Sequence, residues 1–195
     1  MAIKRTGGRF AMVRLGIICE GESETIIFND NSFKNWLHSL NIELVSVQET
    51  GSINQFFEDR FEKHRALMLL KNVDFIVALI DLDKAPSLKE HKTRVNILQN
   101  EAVVIAVKEF ESWYLADKNA LNNLLQKQVL IEFPEEVQEP FKEIVKLNNG
   151  KGFGKSKPFL AKMMLRNGFS IENAAKHPNC PSAKYFIKKL ESLNQ

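Results

Sequence analysis

Acidic side chains follow an apolar run near the start of the chain. The segment Arg14–Phe28 has the sequence RLGIICEGESETIIF, and it places Glu20, Glu22 and Glu24 at alternate positions just after the run. Carboxylates at this spacing repel one another unless a cation offsets their charge. Oxygen donors of this kind are the ligands that Mg²⁺ and Mn²⁺ prefer. The segment therefore indicates one part of a candidate metal site.

Two more acidic groups lie farther along the chain. Asp81 and Asp83 belong to the sequence IDLD, and Glu109 and Glu111 belong to KEFESWYLAD. The two aspartates of an extended D-x-D segment point to the same side, because side chains alternate along a strand. We therefore expect both groups to face the same site as Glu20 and to bind Mg²⁺ or Mn²⁺ with it.

A structural explanation of some of these residues stays open. Acidic residues in the first turn of a helix interact favourably with the helix dipole, and Glu22 and Glu24 occupy such positions in the predicted structure. Glu109 could simply be solvated, whereas Glu111, beside Trp113, is the better ligand of that pair.

The apolar pattern predicts four strands that alternate with helices. The predicted strands are Val13–Cys19, Ile42–Val47, Val73–Ile80 and Ala102–Val107. The third is almost entirely apolar, which is typical of a strand buried on both faces in a parallel sheet. The alternation predicts an α/β fold with a mainly parallel four-stranded sheet flanked by helices. Ligands bind at the carboxyl edge of such sheets, where Glu20, Asp81 and Glu111 would lie.

Helical patterns fill most of the remaining sequence. Apolar residues recur at helical spacing over 21–40 and 108–125, and further helices are predicted from Ser52 and from Pro86 or Ser87 to Gln99. Strand signals end at about residue 118. We predict an α/β domain over residues 1–117 and a helical extension, packed on it, over residues 118–195.

Composition and charge are those of an ordinary globular chain. The 195 residues carry a formal charge of +3, which is too small to establish a nucleic-acid partner by itself. No apolar run has the length of a membrane span, so no membrane partner is expected. Only two cysteines are present and their spacing does not suit zinc, which favours a reducing compartment, the cytoplasm. The four histidines are scattered, which also disfavours zinc.

A glycine- and lysine-rich loop, NNGKGFGKSKP, is similar to a phosphate-binding P-loop only at first sight. Asn149 stands where that motif needs its first glycine, and the loop follows a charged helix rather than a strand. The loop lysines Lys151, Lys155 and Lys157 could still contact nucleic-acid phosphates, and Lys155 could reach the metal site. A solvated basic linker is the alternative.

Three motifs together resemble the TOPRIM domain family. CEGESE resembles the EG-x-[TS]-E opening of these domains, IDLD resembles their D-x-D motif, and KEFESWYLAD resembles a stretch of small bacterial TOPRIM-like proteins of the OLD and RloB-like groups. The resemblance covers Val13 to about Asp117. It implies a Rossmann-like TOPRIM fold. The implied metal-binding and catalytic residues are Glu20, Asp81, Asp83 and Glu111, with Glu24, Glu109 and Lys155 as additional candidates.

The resemblance implies a Mg²⁺- or Mn²⁺-dependent nuclease that cleaves phosphodiester bonds of DNA or RNA. Related small proteins often occur with an ABC-type ATPase in phage defence, which suggests such a partner and such a role here. The alternative is a non-catalytic subunit that keeps the fold and binds the ATPase. Topoisomerase chemistry is disfavoured, because Tyr114 and Tyr185 both lie in predicted helices.

A phosphotransfer domain fits the sequence less well than a nuclease. A receiver domain would use Asp81 as the phosphoacceptor but also needs a lysine after a fifth strand, which the sequence does not offer. A dehalogenase-like domain would need its D-x-D motif after the first strand, whereas IDLD follows the third.

Overall fold

A parallel four-stranded sheet forms the centre of the fold. The computed structural model describes residues 11–52, 60–82, 96–151 and 156–194. The strands are β1 Val13–Cys19, β2 Ile42–Glu49, β3 Phe75–Asp81 and β4 Glu101–Ala106. Their order is β2-β1-β3-β4, and all three neighbouring pairs are parallel. The predicted α/β fold with a parallel sheet between helices is confirmed.

The central strands are buried on both faces because their side chains are apolar on both faces. In β3, Ile76, Ala78 and Ile80 point into one core, and Val77 and Leu79 point into a second, larger core on the opposite face. This arrangement explains why the strand has a continuous apolar sequence rather than an alternating one.

Helices cover both faces of this sheet. They are α1 Glu22–Phe28, α2 Asn31–Ser39, α3 Phe61–Leu70, α4 Glu111–Ala116, α5 Lys118–Leu125, α6 Pro140–Leu147, α7 Lys157–Arg166, α8 Ile171–Ala175 and α9 Pro181–Glu191. Short 3-10 turns occur at Pro134–Glu136 and Ser192–Asn194. Within the described ranges, no helix has the length and apolar character needed to cross a bilayer.

Two stretches with continuous helical spacing are broken into separate helices. The predicted helix over 21–40 is interrupted after Phe28, where the side chain of Asp30 accepts a hydrogen bond of 2.8 Å from the Ser32 N–H and starts α2. The stretch over 108–125 is interrupted at Asp117, whose side chain accepts from the Ala120 N–H at 3.2 Å and starts α5. In both places an aspartate N-cap starts the second helix.

Two helix predictions fall partly outside the described residues. The predicted helix that starts at Pro86 or Ser87 lies mostly in 83–95, and residues 96–98, which the structure does describe, are not helical. Its predicted end at Gln99 is therefore wrong. Residues 53–59, which follow the predicted N-cap Ser52, also lie outside the described part.

The C-terminal helices share the larger core with the sheet. The Phe28 ring of α1 stacks on the Phe186 ring of α9 with 5.7 Å between centroids. The Trp113 indole N–H of α4 donates to the Ser182 hydroxyl of α9 at 2.7 Å. These contacts join both ends of the described chain to the elements that surround the carboxyl edge of the sheet.

Candidate functional site

The strand order creates a crevice at the carboxyl edge of the sheet. From β1 the chain continues to β2 on one side, and from β3 it continues to β4 on the other side. The neighbouring strands β1 and β3 therefore form the topological switch point at which open α/β sheets bind ligands. Glu20 directly follows β1, and Asp81 is the last residue of β3. Both acidic residues lie at this point, as the sequence predicts.

Hydrogen bonds from backbone N–H groups to carboxylates connect the elements at the carboxyl edge of the sheet. Glu20 Oε1 accepts from the Asp81 N–H at 2.7 Å, and Asp81 Oδ1 accepts from the Phe110 N–H at 2.9 Å. Phe110 directly precedes α4, whose first residue is Glu111. The carboxylates thus join the ends of β1 and β3 to the start of α4, and they bring Glu111 to the same edge.

A glycine turn shapes the rim on the side of β2. The Gly51 N–H donates to the Glu20 carbonyl oxygen at 2.7 Å, which extends the β1–β2 pairing beyond the strands. Gly51 has a φ of 90°, a left-handed conformation that residues with a Cβ rarely adopt. The turn holds the Glu20 backbone against the sheet.

Lys157 is the cation that reaches the carboxylates within the described part of the chain. It is the first residue of α7, and its Nζ lies 3.1 Å from Glu111 Oε2 and 3.3 Å from Glu109 Oε1. Burial disfavours the charged lysine, but Glu111, Glu109 and Asp81 outweigh that effect and raise the pKa of Lys157 above its ordinary value. Lys157 therefore remains protonated at any physiological pH.

Glu24 is a buried carboxylate in the first turn of α1. Only 6% of the residue is exposed. Burial and the negative charge of Glu111 raise the pKa of Glu24 to about 7. Burial, followed by the charges of Glu24 and Glu111, likewise raises the pKa of Asp81 well above its usual range. Burial raises the pKa of Glu111 as well, although the ammonium of Lys157 opposes the effect.

These side chains line a cleft of about 230 Å³. Its lining residues are Glu20, Gly21, Glu22, Ser23, Glu24, Gly51, Asp81, Glu111, Lys157 and Pro158. Five of the ten are acidic and one is basic, so carboxyl groups are crowded together in the lining, which is one cause of the raised pKa values of Glu24 and Asp81. A divalent cation would relieve the repulsion among these carboxylates.

The donor chemistry of the cleft fits Mg²⁺ or Mn²⁺, since its charged groups are mostly carboxylates. In the conformation described, however, no three His, Cys, Asp or Glu side chains of the described residues are arranged to hold an ion. Glu20 Oε1 and Asp81 Oδ1 each accept a backbone hydrogen bond, and a carboxylate has about four lone-pair sites in all. Asp83, the predicted partner of Asp81 in metal binding, lies outside the described residues.

The structure brings together the predicted site residues that it describes. Glu20, Asp81 and Glu111 meet at one edge, and Glu24 and Glu109 lie beside them. Lys155 lies outside the described residues, like Asp83. Lys157 was predicted only as a phosphate contact, and no signal in its local sequence marks it as the partner of Glu111.

Tyr114 lies buried close to the carboxylates. Its hydroxyl oxygen has no hydrogen-bond partner among the residues described. Burial, together with the charges of Glu111 and Glu24, raises the pKa of Tyr114 well above its usual value. The Tyr114 phenol is therefore held in its neutral form.

Comparisons with known proteins identify no relative. No protein-family model matches the chain, and neither the curated proteins nor the solved structures contain a match.

Proposed function

We propose that the chain is a metal-dependent nuclease of the TOPRIM type, which uses Mg²⁺ or Mn²⁺ to cleave phosphodiester bonds of DNA or RNA. The observation that carries the proposal is the meeting of Glu20, Asp81 and Glu111 in one acidic cleft at the switch point of a parallel sheet. The order of the motifs that resemble TOPRIM domains supports the same conclusion.

The proposed roles of the residues follow from their positions. Glu20 and Asp81, with Asp83, would hold the ion, and Glu111 would complete its surroundings. Divalent ions in such a site activate a water and stabilise the leaving oxygen of an in-line displacement. Glu20 could alternatively act as the general base. Glu24, with a pKa of about 7, is suited to accept or release a proton near neutral pH.

The direct test is cleavage by the purified protein. Plasmid, linear DNA and tRNA are incubated with Mg²⁺, with Mn²⁺ or with EDTA, and the products are separated on gels. We expect cleavage with either ion and at least a 100-fold lower rate for Asp81→Asn, because the substitution removes the charge of a metal ligand.

The matched control is Asp74→Asn. Asp74 is exposed, lies just before β3 at the opposite edge of the sheet, and accepts a hydrogen bond from the Arg14 N–H at 2.8 Å. Its substitution should leave cleavage unchanged. Equal activity of Asp81→Asn and Asp74→Asn would contradict the nuclease proposal.

A non-catalytic role is the second candidate, and one observation favours it. Glu20 and Asp81 each accept a backbone hydrogen bond that joins the ends of β1 and β3 to the start of α4, which gives both carboxylates a structural role without a metal. In this case the chain would bind an ABC-type ATPase as a regulatory subunit, and Asp81→Asn would keep that binding and any protection against phage. Loss of protection with retained ATPase binding would support the nuclease instead.

One observation supports a phosphotransfer domain of the receiver type, and another speaks against it. Lys157 shares the cleft with Asp81, as a receiver domain would require of its lysine. Asp81, however, is only 8% exposed, and its Oδ1 already accepts the Phe110 N–H. Incubation with a small phosphoryl donor should therefore leave the protein unlabelled.

The proposed setting is the cytoplasm, with phage defence as the role. Cys19 and Cys180 are both free and buried, which suits a reducing compartment. Plating of phage on cells that carry the wild type or the Asp81→Asn variant, with and without a co-expressed ATPase partner, tests the role. We expect protection only with the wild-type acidic cleft.

A further inference from the structure

We propose that Lys157 acts as a built-in cation on the side of the site formed by Glu111 of the cleft lining and the adjacent Glu109, here called the Glu109 and Glu111 half, so that the cleft takes one divalent ion rather than two. This inference rests on the proposed metal-dependent function and specifies its metal stoichiometry. It assigns Lys157 a role in setting metal occupancy rather than a role in contacting the substrate.

The ion pairs of Lys157 differ from ordinary surface pairs. Its ammonium contacts Glu111, whose side chain is only 2% exposed, and Glu109, whose side chain is 23% exposed. A buried carboxylate needs a partner charge, since an unpaired one is strongly disfavoured. The ammonium therefore neutralises a charge that water does not reach.

The second carboxylate oxygen of Glu109 is buried as well. Glu109 Oε1 contacts Lys157, whereas Glu109 Oε2 is buried without a hydrogen-bond partner among the described residues. One ammonium thus leaves part of the carboxylate pair unsatisfied. A divalent ion could satisfy the pair only by displacing the lysine.

The fold fixes the position of Lys157. Lys157 is the first residue of α7, and the Ser156 hydroxyl caps this helix by accepting from the Phe159 N–H at 3.2 Å. Leu160 and Met164 of α7 are fully buried in the larger core. The lysine is therefore presented to Glu111 by an anchored helix, which limits how far its ammonium can withdraw.

The other half of the cleft is lined by three more carboxyl groups. Glu20, Glu24 and Asp81 line it, and Lys157 is the sole cation among the lining residues in the described ranges. Two-metal sites place their ions about 4 Å apart. A second ion at that distance would meet the ammonium on Glu111, and the two positive charges would repel each other.

The test is the number of Mn²⁺ ions bound per chain, measured without nucleic acid by titration calorimetry and by the electron paramagnetic resonance of free Mn²⁺. We expect one ion for the wild type and two for Lys157→Met, because the substitution opens the Glu109 and Glu111 half. Lys157→Arg should keep one ion, since it keeps the positive charge. Lys157→Gln serves as a second neutral variant if Lys157→Met does not fold.

Lys162→Met is the matched control, because Lys162 is exposed on the same helix and the change in net charge is the same. It should bind one ion, like the wild type. Two ions in the wild type, or one ion in a folded Lys157→Met or Lys157→Gln variant, would overturn the inference and leave the nuclease proposal standing. No Mn²⁺ binding by any variant would overturn both.

Discussion

At the scale of single residues, Glu24 and Glu111 lie in the first turns of α1 and α4 and are both buried. A helix dipole favours a carboxylate in this position. Burial nevertheless raises the pKa of both side chains above the ordinary value for glutamate, and the charge of a neighbouring carboxylate, Glu111 for Glu24 and Glu109 for Glu111, adds to this effect. Because of these raised pKa values, the free energy of unfolding of the protein depends on pH.

Glu24→Gln should stabilise the protein at pH 8 and have little effect at pH 5. The pKa of Glu24 is about 7 when folded and 4.5 as a free side chain, so the folded state binds the proton more tightly. The resulting stability is present at low pH and is lost as the pH rises from about 4.5 to about 7. We expect a gain of up to about 3 kcal/mol at pH 8, measured by urea unfolding without divalent ions.

The control for this prediction is Glu22→Gln, because Glu22 is exposed in the same helical turn. Its effect should be small and equal at both pH values. An effect of Glu24→Gln that does not change between pH 5 and pH 8 would show that Glu24 is not a buried, charge-crowded carboxylate. Saturating Mn²⁺ should reduce the gain at pH 8.

Two substitutions of Asp81 should separate its charge from its hydrogen bond. Asn keeps an oxygen that can accept the Phe110 N–H, whereas Ala leaves this buried donor without a partner. We expect Asp81→Ala to be about 1–3 kcal/mol less stable than Asp81→Asn in urea unfolding. Equal stabilities would mean that this hydrogen bond does not hold the start of α4 in place.

At the scale of elements, α4 is held between the site and the C-terminal helices. The Trp113 indole N–H donates to the Ser182 hydroxyl at 2.7 Å, and this hydroxyl donates to Glu135 Oε1 at 2.6 Å. The Ser182 N–H at the start of α9 also donates to Glu135 Oε1, at 2.9 Å. One buried serine therefore links α4, α9 and the 3-10 turn at Pro134–Glu136.

Ser182→Ala should destabilise the protein by about 2–3 kcal/mol, because it leaves the Trp113 donor without its partner and removes one hydrogen bond to Glu135. Urea unfolding followed by tryptophan fluorescence measures the effect. Ser192→Ala is the control, since the Ser192 hydroxyl is exposed and donates only to the carbonyl oxygen of Lys189. A loss as small as that of the control would contradict a structural role of the link.

The strands and the positions of most carboxylates could be predicted from the sequence for a physical reason. A strand buried on both faces needs a continuous apolar run, and the first charged residue after the run marks the edge of the sheet. Glu20 and Asp81 are such residues. The breaks at Asp30 and Asp117 escaped prediction because side-chain capping competes with apolar spacing that continues through both.

The contact of Lys157 with Glu111 could not be predicted from local sequence. The two residues are separated by 46 positions, and their contact depends on how α7 packs against α1 and α5. Periodicity identifies the helix and its apolar face, but it does not determine which sheet edge the start of the helix reaches. A resemblance that ends near Asp117 offers no help with that part of the chain.

At the scale of the whole molecule, the two predicted parts, residues 1–117 and 118–195, both contribute described residues to one continuous core. Phe28 and Trp113 from the first part pack against Phe186 from the second. All three side chains are fully buried. Separation of the parts would expose this aromatic cluster to water.

We expect neither 1–117 nor 118–195 to fold alone, because each would expose apolar surface that the other covers. The two fragments, co-expressed as separate chains, should associate and purify together. Circular dichroism and size-exclusion chromatography of each fragment alone show whether it folds. A soluble, cooperatively unfolding 1–117 fragment would show that the second part is an appendage.

The Lys157 contact also bears on how the protein is made. Glu20, Glu24, Asp81 and Glu111 all leave the ribosome before Lys157 does, and α9 follows later still. A growing chain therefore passes through a stage in which its acidic residues exist without their internal cation and without the aromatic support of Phe186. The cleft can therefore take its final form only after Lys157 and α9 have been synthesised.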